Sequence, residues 1–403
     1  MQNYLESRDM QILMIAPQPF YAERGTPMNV KLLCEVLGEA EFKIDLLVFP
    51  TGKDIKIKNV RIIRLPNVLK ARSIPVGPSG IKLSYDILLV KAAFWLAITK
   101  KYHVIHGIEE GGFLAVMLCK LFGIRSIFDM DSSISEQLKY SGYVKSKFLL
   151  SIVEKLEKWT LKNSSAIITV CQDLTDKARS IFPDANIYQI EDIPISHSNL
   201  PNTSSSEELI KKFGLSDYFR IVYTGNLESY QGIDLLLASW KVFSKQMENA
   251  GRYRLVIVGG QKEQIERYSK IAESYGISGM VTWSGQRPSK EMGAWMDLSH
   301  VLVSPRSEGT NTPLKIYSYM SSGRPIVATR RKAHIQVLDE SVAFLADSDP
   351  GKFCEAIYNA LNDRKTALRK AERAKKVVEE KYSYSVFRKK LLDAYASIRC
   401  QYI

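Results

Sequence analysis

The residues best suited to chemistry lie in one short run. From Val303 to Lys315 the chain leaves an apolar, strand-like segment and enters a helix-like one. Gly309, Thr310, Asn311 and Thr312 are small and polar, so backbone amides there can approach an anion closely. Thr312 suits the cap of the following helix, and Pro313 its first position. Arg306 and Lys315 flank the run and offer a cationic grip for a diphosphate. Glu308 offers an acceptor for ribose hydroxyls. The competing reading is an ordinary capped helix with a salt bridge.

Two further loops have the same character. Arg24, Gly25, Thr26 and Pro27 follow the first strand-like run. Gly25 permits a tight turn there, and the free amides of a helix start can hold a phosphate or a sugar hydroxyl. An ordinary strand-to-helix turn explains that spacing equally well. Thr224, Gly225 and Asn226 end the first strand of the second half. Gly259-Gly260 and the Ser284 to Arg287 turn end the next strands and are candidates for a base pocket.

These loops need strands and helices to hold them. Short β-like runs (Ile12–Ala16, Ile44–Phe49, Val60–Leu65, Val104–His106, Ser126–Met130, Ala166–Val170) alternate with helical patterns starting near Thr26, Leu83, Gly112 and Phe148. That is the rhythm of a doubly wound parallel sheet. A polar stretch from Ser196 to Glu208 reads as a linker. The rhythm then restarts with Arg220–Tyr223, Arg254–Val258, Val281–Trp283, Val301–Val303 and Pro325–Ala328. Helices fit Gly232–Ala250, Glu263–Tyr275, Lys290–Asp297 and Pro313–Ser322, and the chain from Pro350 onward is helical and basic. The expectation is an α/β chain of two Rossmann-like domains facing a cleft, with ligands at the carboxyl ends of the strands. The boundaries are 1–198, a linker at 199–210, 211–382, and a final helix over 383–403.

Composition narrows the function. At 403 residues the chain is too long for one ordinary core. Its five cysteines are scattered, with no CxxC pair, which argues against a disulfide framework or a zinc cage. No segment reads as a signal peptide or a membrane span, so a cytoplasmic setting is expected. The net charge of +13 favours an acidic partner. No nucleic-acid-reading motif accompanies it, so an anionic membrane surface or a phosphorylated ligand is preferred.

The loops together resemble the family 4 glycosyltransferases of the GT-B fold. The resemblance covers nearly the whole chain. It rests on Arg24 to Pro27, Thr224 to Leu227, Gln231 to Asp234, Ser307 to Gly309, and above all the run from Tyr319 to Ala328 with its Gly323-Arg-Pro-Ile-Val-Ala tail. His334 and the stretch from Leu345 to Pro350 fall where the family has a similar turn. The resemblance implies a nucleotide-diphosphate sugar donor held by the second domain and an acceptor on the first. It also implies retention of anomeric configuration, no metal and no separate cofactor, and a last helix that returns to the first domain.

This chain departs from the family at three places. Ser318 stands where a second glutamate is usual. Asn226 and Gln231 stand where an Arg and a Lys usually grip the diphosphate. Asp131 stands where many members have a His. Lys315 and Arg306, with Arg24 from the other domain, are the expected substitutes that steady the leaving diphosphate. Asp131 is expected to orient a sugar hydroxyl. The sharpest expectation is therefore an enzyme with Glu308, Asp131 and Lys315 at the reacting centre. Gly25, Thr26, Gly225, Asn226, Arg306 and Gly309 to Thr312 would hold the donor. The acceptor would be a glycan or lipid-linked sugar of the cell surface. The rival is a catalytically inactive binding or partner subunit on the same fold.

Three features have two readings each. His106 is either poised for the cleft or a satisfied strand-end histidine. Glu109 and Glu110 are the carboxylates best suited to acceptor hydroxyls. In the segment from Lys139 to Lys162, Phe148, Leu149, Ile152, Val153, Leu156 and Trp159 form a helical stripe among lysines. The stripe is either core against the sheet, the preferred reading, or a face for an anionic membrane, together with the loop Lys70 to Lys82.

Overall fold

The computed structural model describes residues 10–75, 79–141, 146–194 and 205–400. Expectations for the first nine residues, Gly77, Pro78, Lys145 and residues 199–204 of the linker fall outside these. The chain divides into two compact units, Met1–Glu191 with Phe387–Ile403, and Asp192–Val386.

In chain order the first unit has β1 (Gln11–Ala16), α1 (Gly25–Glu39), β2 (Lys43–Val48), β3 (Val60–Arg64), α2 (Gly80–Thr99), β4 (Val104–Ile108), α3 (Gly111–Phe122), β5 (Arg125–Met130), α4 (Ile134–Ser141), α5 (Lys147–Asn163), β6 (Ala166–Thr169), α6 (Gln172–Ile181) and β7 (Ile187–Gln189). Its strands lie in the order β3-β2-β1-β4-β5-β6-β7, every pair parallel. The central strands are apolar throughout because helices cover both faces. Leu13 and Ile15 pack with α2 and α3 through Leu89, Ala93, Ala115 and Leu118. Met14 faces the other way and meets Cys34 of α1.

The second unit has α7 (Ser206–Lys212), β8 (Phe219–Thr224), α8 (Ile233–Gln246), β9 (Tyr253–Val258), α9 (Lys262–Ser274), β10 (Val281–Gly285), α10 (Met292–Asp297), β11 (Val301–Ser304), α11 (Leu314–Ser321), β12 (Ile326–Thr329), α12 (Lys332–Ile335), β13 (Phe344–Ala346), α13 (Pro350–Asn362) and α14 (Arg364–Lys381). Strand order is β10-β9-β8-β11-β12-β13. Alternate residues again serve opposite faces. Ile221, Tyr223 and Val303 pack with α8 and α13; Val222, Leu302 and Ala328 pack with α10, α11 and α14. Trp240 and Trp295 are fully buried, one in each layer. Truncating either to Ala costs about 3–5 kcal/mol.

The last helix, α15 (Tyr384–Cys400), lies mostly in the first unit. Its Tyr395 packs on Phe42 and hydrogen-bonds His106 Nδ1 at 2.7 Å. Ser397 accepts from Asn186, and Lys390 pairs with Glu191.

The expected strands are present within a residue or two. Strands β7 and β13 and helices α4, α6, α7 and α12 were not expected. Each of these strands is three residues long, too short to show a period. Helix α8 stops at Gln246 rather than Ala250. The α5 stripe corrects the preferred core reading. Phe148 is 74% exposed, and Leu149, Ile152 and Leu156 are also exposed. Helix α5 instead buries Glu157, Thr160 and Leu161. Glu157 is taken inward because it accepts from Ser133 Oγ at 3.0 Å and Ser135 N–H at 3.1 Å and pairs with Lys177 at 3.0 Å.

Candidate functional site

Both sheets reverse strand order at one place, between β1 and β4 and between β8 and β11. Loops at the carboxyl ends of such strands diverge and leave a crevice. In the second unit the loops in question follow β8 and β11.

The loop after β11 is organised by Arg306, which is 7% exposed. Its Nε donates to Glu308 O at 2.8 Å, and its Nη2 to Asn311 Oδ1 at 3.0 Å. Its guanidinium lies 5.2 Å from the Tyr230 ring centre. Gly309 has φ +91°, and a Cβ there would collide with that guanidinium. Only glycine combines this backbone with that approach. The Arg306 carbonyl accepts from Thr329 Oγ1 at 2.5 Å. His334 supports the arrangement from beneath. Its Nδ1–H donates to Thr329 O at 2.8 Å, and its Nε2 accepts from Ser304 Oγ at 2.9 Å. Burial lowers its pKa to about 3, so it stays neutral.

Lys315 rises from the first turn of α11. Its Nζ donates to Gln231 Oε1 at 3.1 Å and sits 3.9 Å from the Tyr223 ring centre. Gly225, at φ +142°, leaves it room; a Cβ there would lie 3.3 Å from Nζ. Helix α11 is pinned to β8 by Thr224 N–H donating to Tyr319 Oη at 2.8 Å. Burial, and then the Arg306 charge, hold the Lys315 ammonium well below the usual lysine range. Burial likewise lowers Arg306. Among the described residues neither cation has a carboxylate within ion-pair distance. Two uncompensated cations in one partly dry shell cost folding energy unless an anion joins them. A diphosphate has the charge and the spread of oxygens to do so.

The remaining expected residues are distributed as follows. Glu308 is exposed, and only its backbone contacts Arg306. Asn226 is exposed and bonds within its own turn, its carbonyl accepting from Tyr223 Oη at 2.6 Å. Thr310 O accepts from Gln336 at 2.7 Å. Thr312 and Pro313 need a correction. Pro313, with ψ 131°, is the cap of α11, and Leu314 is its first helical residue. The Thr312 side chain caps nothing; it is 4% exposed and its Oγ1 has no hydrogen-bond partner. Ser318 is buried in α11. Gln231, which the resemblance placed at the diphosphate, lies with Tyr223 and Tyr230 around the cations, and the two tyrosines were not expected there. Lys315 and Gln231 are 84 residues apart in the chain, so no local spacing signals the contact.

In the first unit Gly25 and Thr26 open α1, where Arg24 is the cap residue and makes no side-chain cap. Four residues into α1, Asn29 Nδ2 donates to Asp131 Oδ1 at 3.2 Å. Asp131 is thus tied to the α1 entry. Glu109 follows β4 directly, with φ +49°, a conformation unusual for a side chain of that size. It accepts from Ser132 Oγ at 3.3 Å. Burial, then the Glu110 charge, raise its pKa well above the carboxylate range. His106 takes the satisfied reading: it is fully buried between Tyr395 and Asp129. Among the described residues no group of three or more His, Cys, Asp or Glu could hold a metal ion. No helix there is long and apolar enough to cross a membrane.

Residues 218–363 match the family described as glycosyl transferases group 1. YtcC of Bacillus subtilis, provisionally described as a glycosyltransferase, is 24% identical over 306 residues, covering 68% of this chain and 74% of that one. The structure of sucrose-phosphate synthase from Thermosynechococcus elongatus superposes with TM-score 0.77 at 17% identity, over 97% of this chain and 100% of the other. That of Anabaena HepE in complex with UDP and glucose gives TM-score 0.75 at 14% identity, over 96% and 100%. The doubly wound pair of sheets and the group 1 match over the unit that carries Arg306 and Lys315 lead to one conclusion: the chain has the GT-B fold, and residues 218–363 form a glycosyl transferases group 1 domain that supports glycosyltransferase activity.

Proposed function

We propose that the chain is a retaining, family 4-like transferase. In this reading it moves a sugar from a nucleotide-diphosphate donor onto a glycan or lipid-linked acceptor of the cell surface. The observation that carries the donor half is the Arg306 and Lys315 pair without a carboxylate. Their charges would steady the diphosphate as it leaves. Gly225, Gly309 and the free Thr312 hydroxyl would let it approach, and Glu308 would take ribose or sugar hydroxyls. Asp131 would orient the acceptor. With retention, the donor's own phosphate takes the acceptor proton, so no protein base is required. The bound UDP and glucose of HepE make UDP-glucose the first donor to try.

The neutral Gln231 and the Ser at 318 favour the rival, a subunit that binds donor without turnover. A thermal-shift panel of UDP, GDP, ADP and their sugar conjugates, followed by product NMR, separates the two. A rise in Tm with one base and an axial or equatorial product matching the donor anomer supports transfer with retention. Inversion would overturn retention. A shift without product in the presence of varied acceptors supports the rival.

The reading also places the enzyme at the inner face of an anionic membrane. What supports this is a set of exposed apolar side chains on adjoining helices of the first unit. Trp95 and Leu83 of α2, each 63% exposed, Leu121 of α3 and Phe148 of α5 stand out from adjoining helices. Exposed Lys120, Lys147, Lys155 and Lys158 accompany them. Apolar side chains with lysines around them fit an anionic bilayer. A second copy of the chain would bring like charges together. Co-flotation with anionic liposomes should fall at least tenfold for Trp95→Asp with Phe148→Asp. Unchanged flotation would remove the membrane from the proposal.

A further inference from the structure

At the end of the second sheet opposite the Arg306 loop, arginines and aromatic rings collect at the amino ends of the strands. Phe219 and Arg220 open β8, Tyr253 and Arg254 open β9, His300 precedes β11, and Arg324 lies just before β12. The register sets Phe219 beside Tyr253 and Arg220 beside Arg254, and the His300 N–H donates to Arg220 O at 2.8 Å. Phe219 stacks on Tyr253 with ring centres 5.3 Å apart and meets the His300 ring edge to face at 5.2 Å. The Arg252 guanidinium lies 5.7 Å from the Phe219 ring centre, and that of Arg254 lies 4.0 Å from that of Tyr218. Arg364, the first residue of α14, belongs to the same end. Burial, then the charges of Arg220, Arg324 and Arg364, hold the His300 pKa at about 4.

Carbonyls and rings, not carboxylates, anchor these arginines. Arg220 donates to Leu298 O at 2.6 Å and Leu215 O at 2.9 Å, Arg254 to Gly279 O, and Arg324 to Asp297 O. Among the described residues none of Arg220, Arg252, Arg254, Arg324 and Arg364 has a carboxylate within ion-pair distance, whereas Arg61, Arg64, Arg287 and Arg330 each have one. Arg252 and Arg364 are exposed, and Arg254 Nε is buried without a hydrogen-bond partner. Phe219 is 39% exposed. A guanidinium held over a ring keeps its N–H fork for a carboxylate or phosphate. The complement of this surface is a ligand with several negative charges and a flat apolar face. An anionic bilayer fits less well, because these rings sit on strand ends without an apolar helix face to insert. The group 1 domain in which they lie favours a glycan over a nucleic acid.

We propose that the amino end of the second sheet holds an acidic glycan chain, with its carboxylates or phosphates on the arginines and a sugar ring on Phe219. This takes from the proposed function only that the acceptor is a glycan. Strand β8 has six residues, so this surface lies about 20 Å from the carboxyl end of its own sheet. A single acceptor sugar cannot occupy both ends of the sheet at once. The surface therefore takes a polymer, away from its reacting terminus.

The test is binding of the full chain to oligogalacturonate and to a phosphorylated mannan. Neutral dextran, oligo(dT) and anionic liposomes serve as comparisons, all at about 0.15 M salt, where exposed charges are partly screened. We expect binding to at least one acidic glycan and none to dextran. Arg252→Gln with Arg254→Gln should weaken it at least about tenfold. Phe219→Leu, which keeps an apolar side chain without the ring, should weaken it about threefold or more. Arg306→Ala should leave it unchanged. Binding to neither acidic glycan overturns the inference, and so does tighter binding to oligo(dT) or to the liposomes. Undiminished binding in the arginine pair or in Phe219→Leu also overturns it, as does a loss in Arg306→Ala alone, which moves the polyanion to the diphosphate loop. The wild-type ranking decides the matter even where a variant fails to fold. A thermal shift with UDP-glucose on the wild type keeps the two readings apart. No shift beside firm binding of an acidic glycan fails the donor reading and leaves this inference standing; a shift without glycan binding does the reverse.

Discussion

The two units have the same sheet reversal but opposite chemistry at the strand ends beside it. After β4 and β5 the first unit presents Glu109, Glu110 and Asp131, with Lys82 paired to Glu110 at 3.2 Å. After β8 and β11 the second presents Arg306 and Lys315 and no paired carboxylate among the described residues. A crevice of carboxylates takes hydroxyl groups as hydrogen-bond donors; a crevice of cations takes phosphates. One topology therefore supplies only a location, and the side chains at that location decide the ligand. The backbone shows the same division of labour. The positive φ of Gly309 serves contact with Arg306, whereas that of Gly123 serves only to end α3.

The comparison breaks most readily at Arg306. Arg306→Ala should lower transfer about 100- to 1000-fold and weaken donor binding, since a fixed charge at the leaving group is lost. Asp131→Ala should instead raise the acceptor KM and leave the donor Kd unchanged. Steady-state kinetics with each substrate varied in turn would show it. A donor Kd that depends on Asp131 and not on Arg306 would reverse the assignment of the two units.

A smaller effect is expected at the two glycines. Gly309→Ala adds a collision with Arg306 to the strain of a left-handed residue, and should destabilise by about 1–3 kcal/mol. Gly123→Ala has open space around it and should cost only about 1 kcal/mol. Urea unfolding of both variants measures this. Equal losses would mean that Gly309 does not depend on the guanidinium beside it.

A last difference is in the pH dependence of stability, and the two units should differ in sign. His334 has a folded value of about 3, below its ordinary value. Its stabilisation is complete above the unfolded histidine value, about 6.5. It is lost as pH falls toward 3, at up to about 1.4 kcal/mol per pH unit. Glu109 is raised, so its share is complete below the ordinary glutamate value and is lost as pH rises above it. Urea midpoints across the acid and neutral range should flatten on the acid side in His334→Gln and on the alkaline side in Glu109→Gln. Matching changes on the same side would contradict the opposed electrostatics.

Much of the second-unit site could be read along the chain because Arg306, Gly309, Asn311 and Lys315 occupy one loop and the first turn of one helix. The strand alternation was equally visible, since buried parallel strands are continuous apolar runs such as Ile12 to Ala16. The shell was not visible. Gln231 and Tyr223 reach Lys315 only because β8 and β11 are neighbours in the sheet. The facing of the α5 stripe was misread for a related reason. Its period shows that the apolar residues share a side, but the buried side is fixed by Glu157 meeting Ser133, Ser135 and Lys177.

The sequence by itself determined the βαβ alternation, the glycines that admit close approach, and which residue types flank the loop after β11. These follow from local sterics and from periodicity, which act within a few residues. Tertiary structure decided the rest. It buried His106 between Tyr395 and Asp129, turned Phe148 outward, left Thr312 unpartnered, and set Lys315 beside Arg306 without a counter-charge. Burial and the distance between charges are properties of the folded chain, and they fix whether a lysine is a solvated surface charge or a cation that favours an anion beside it.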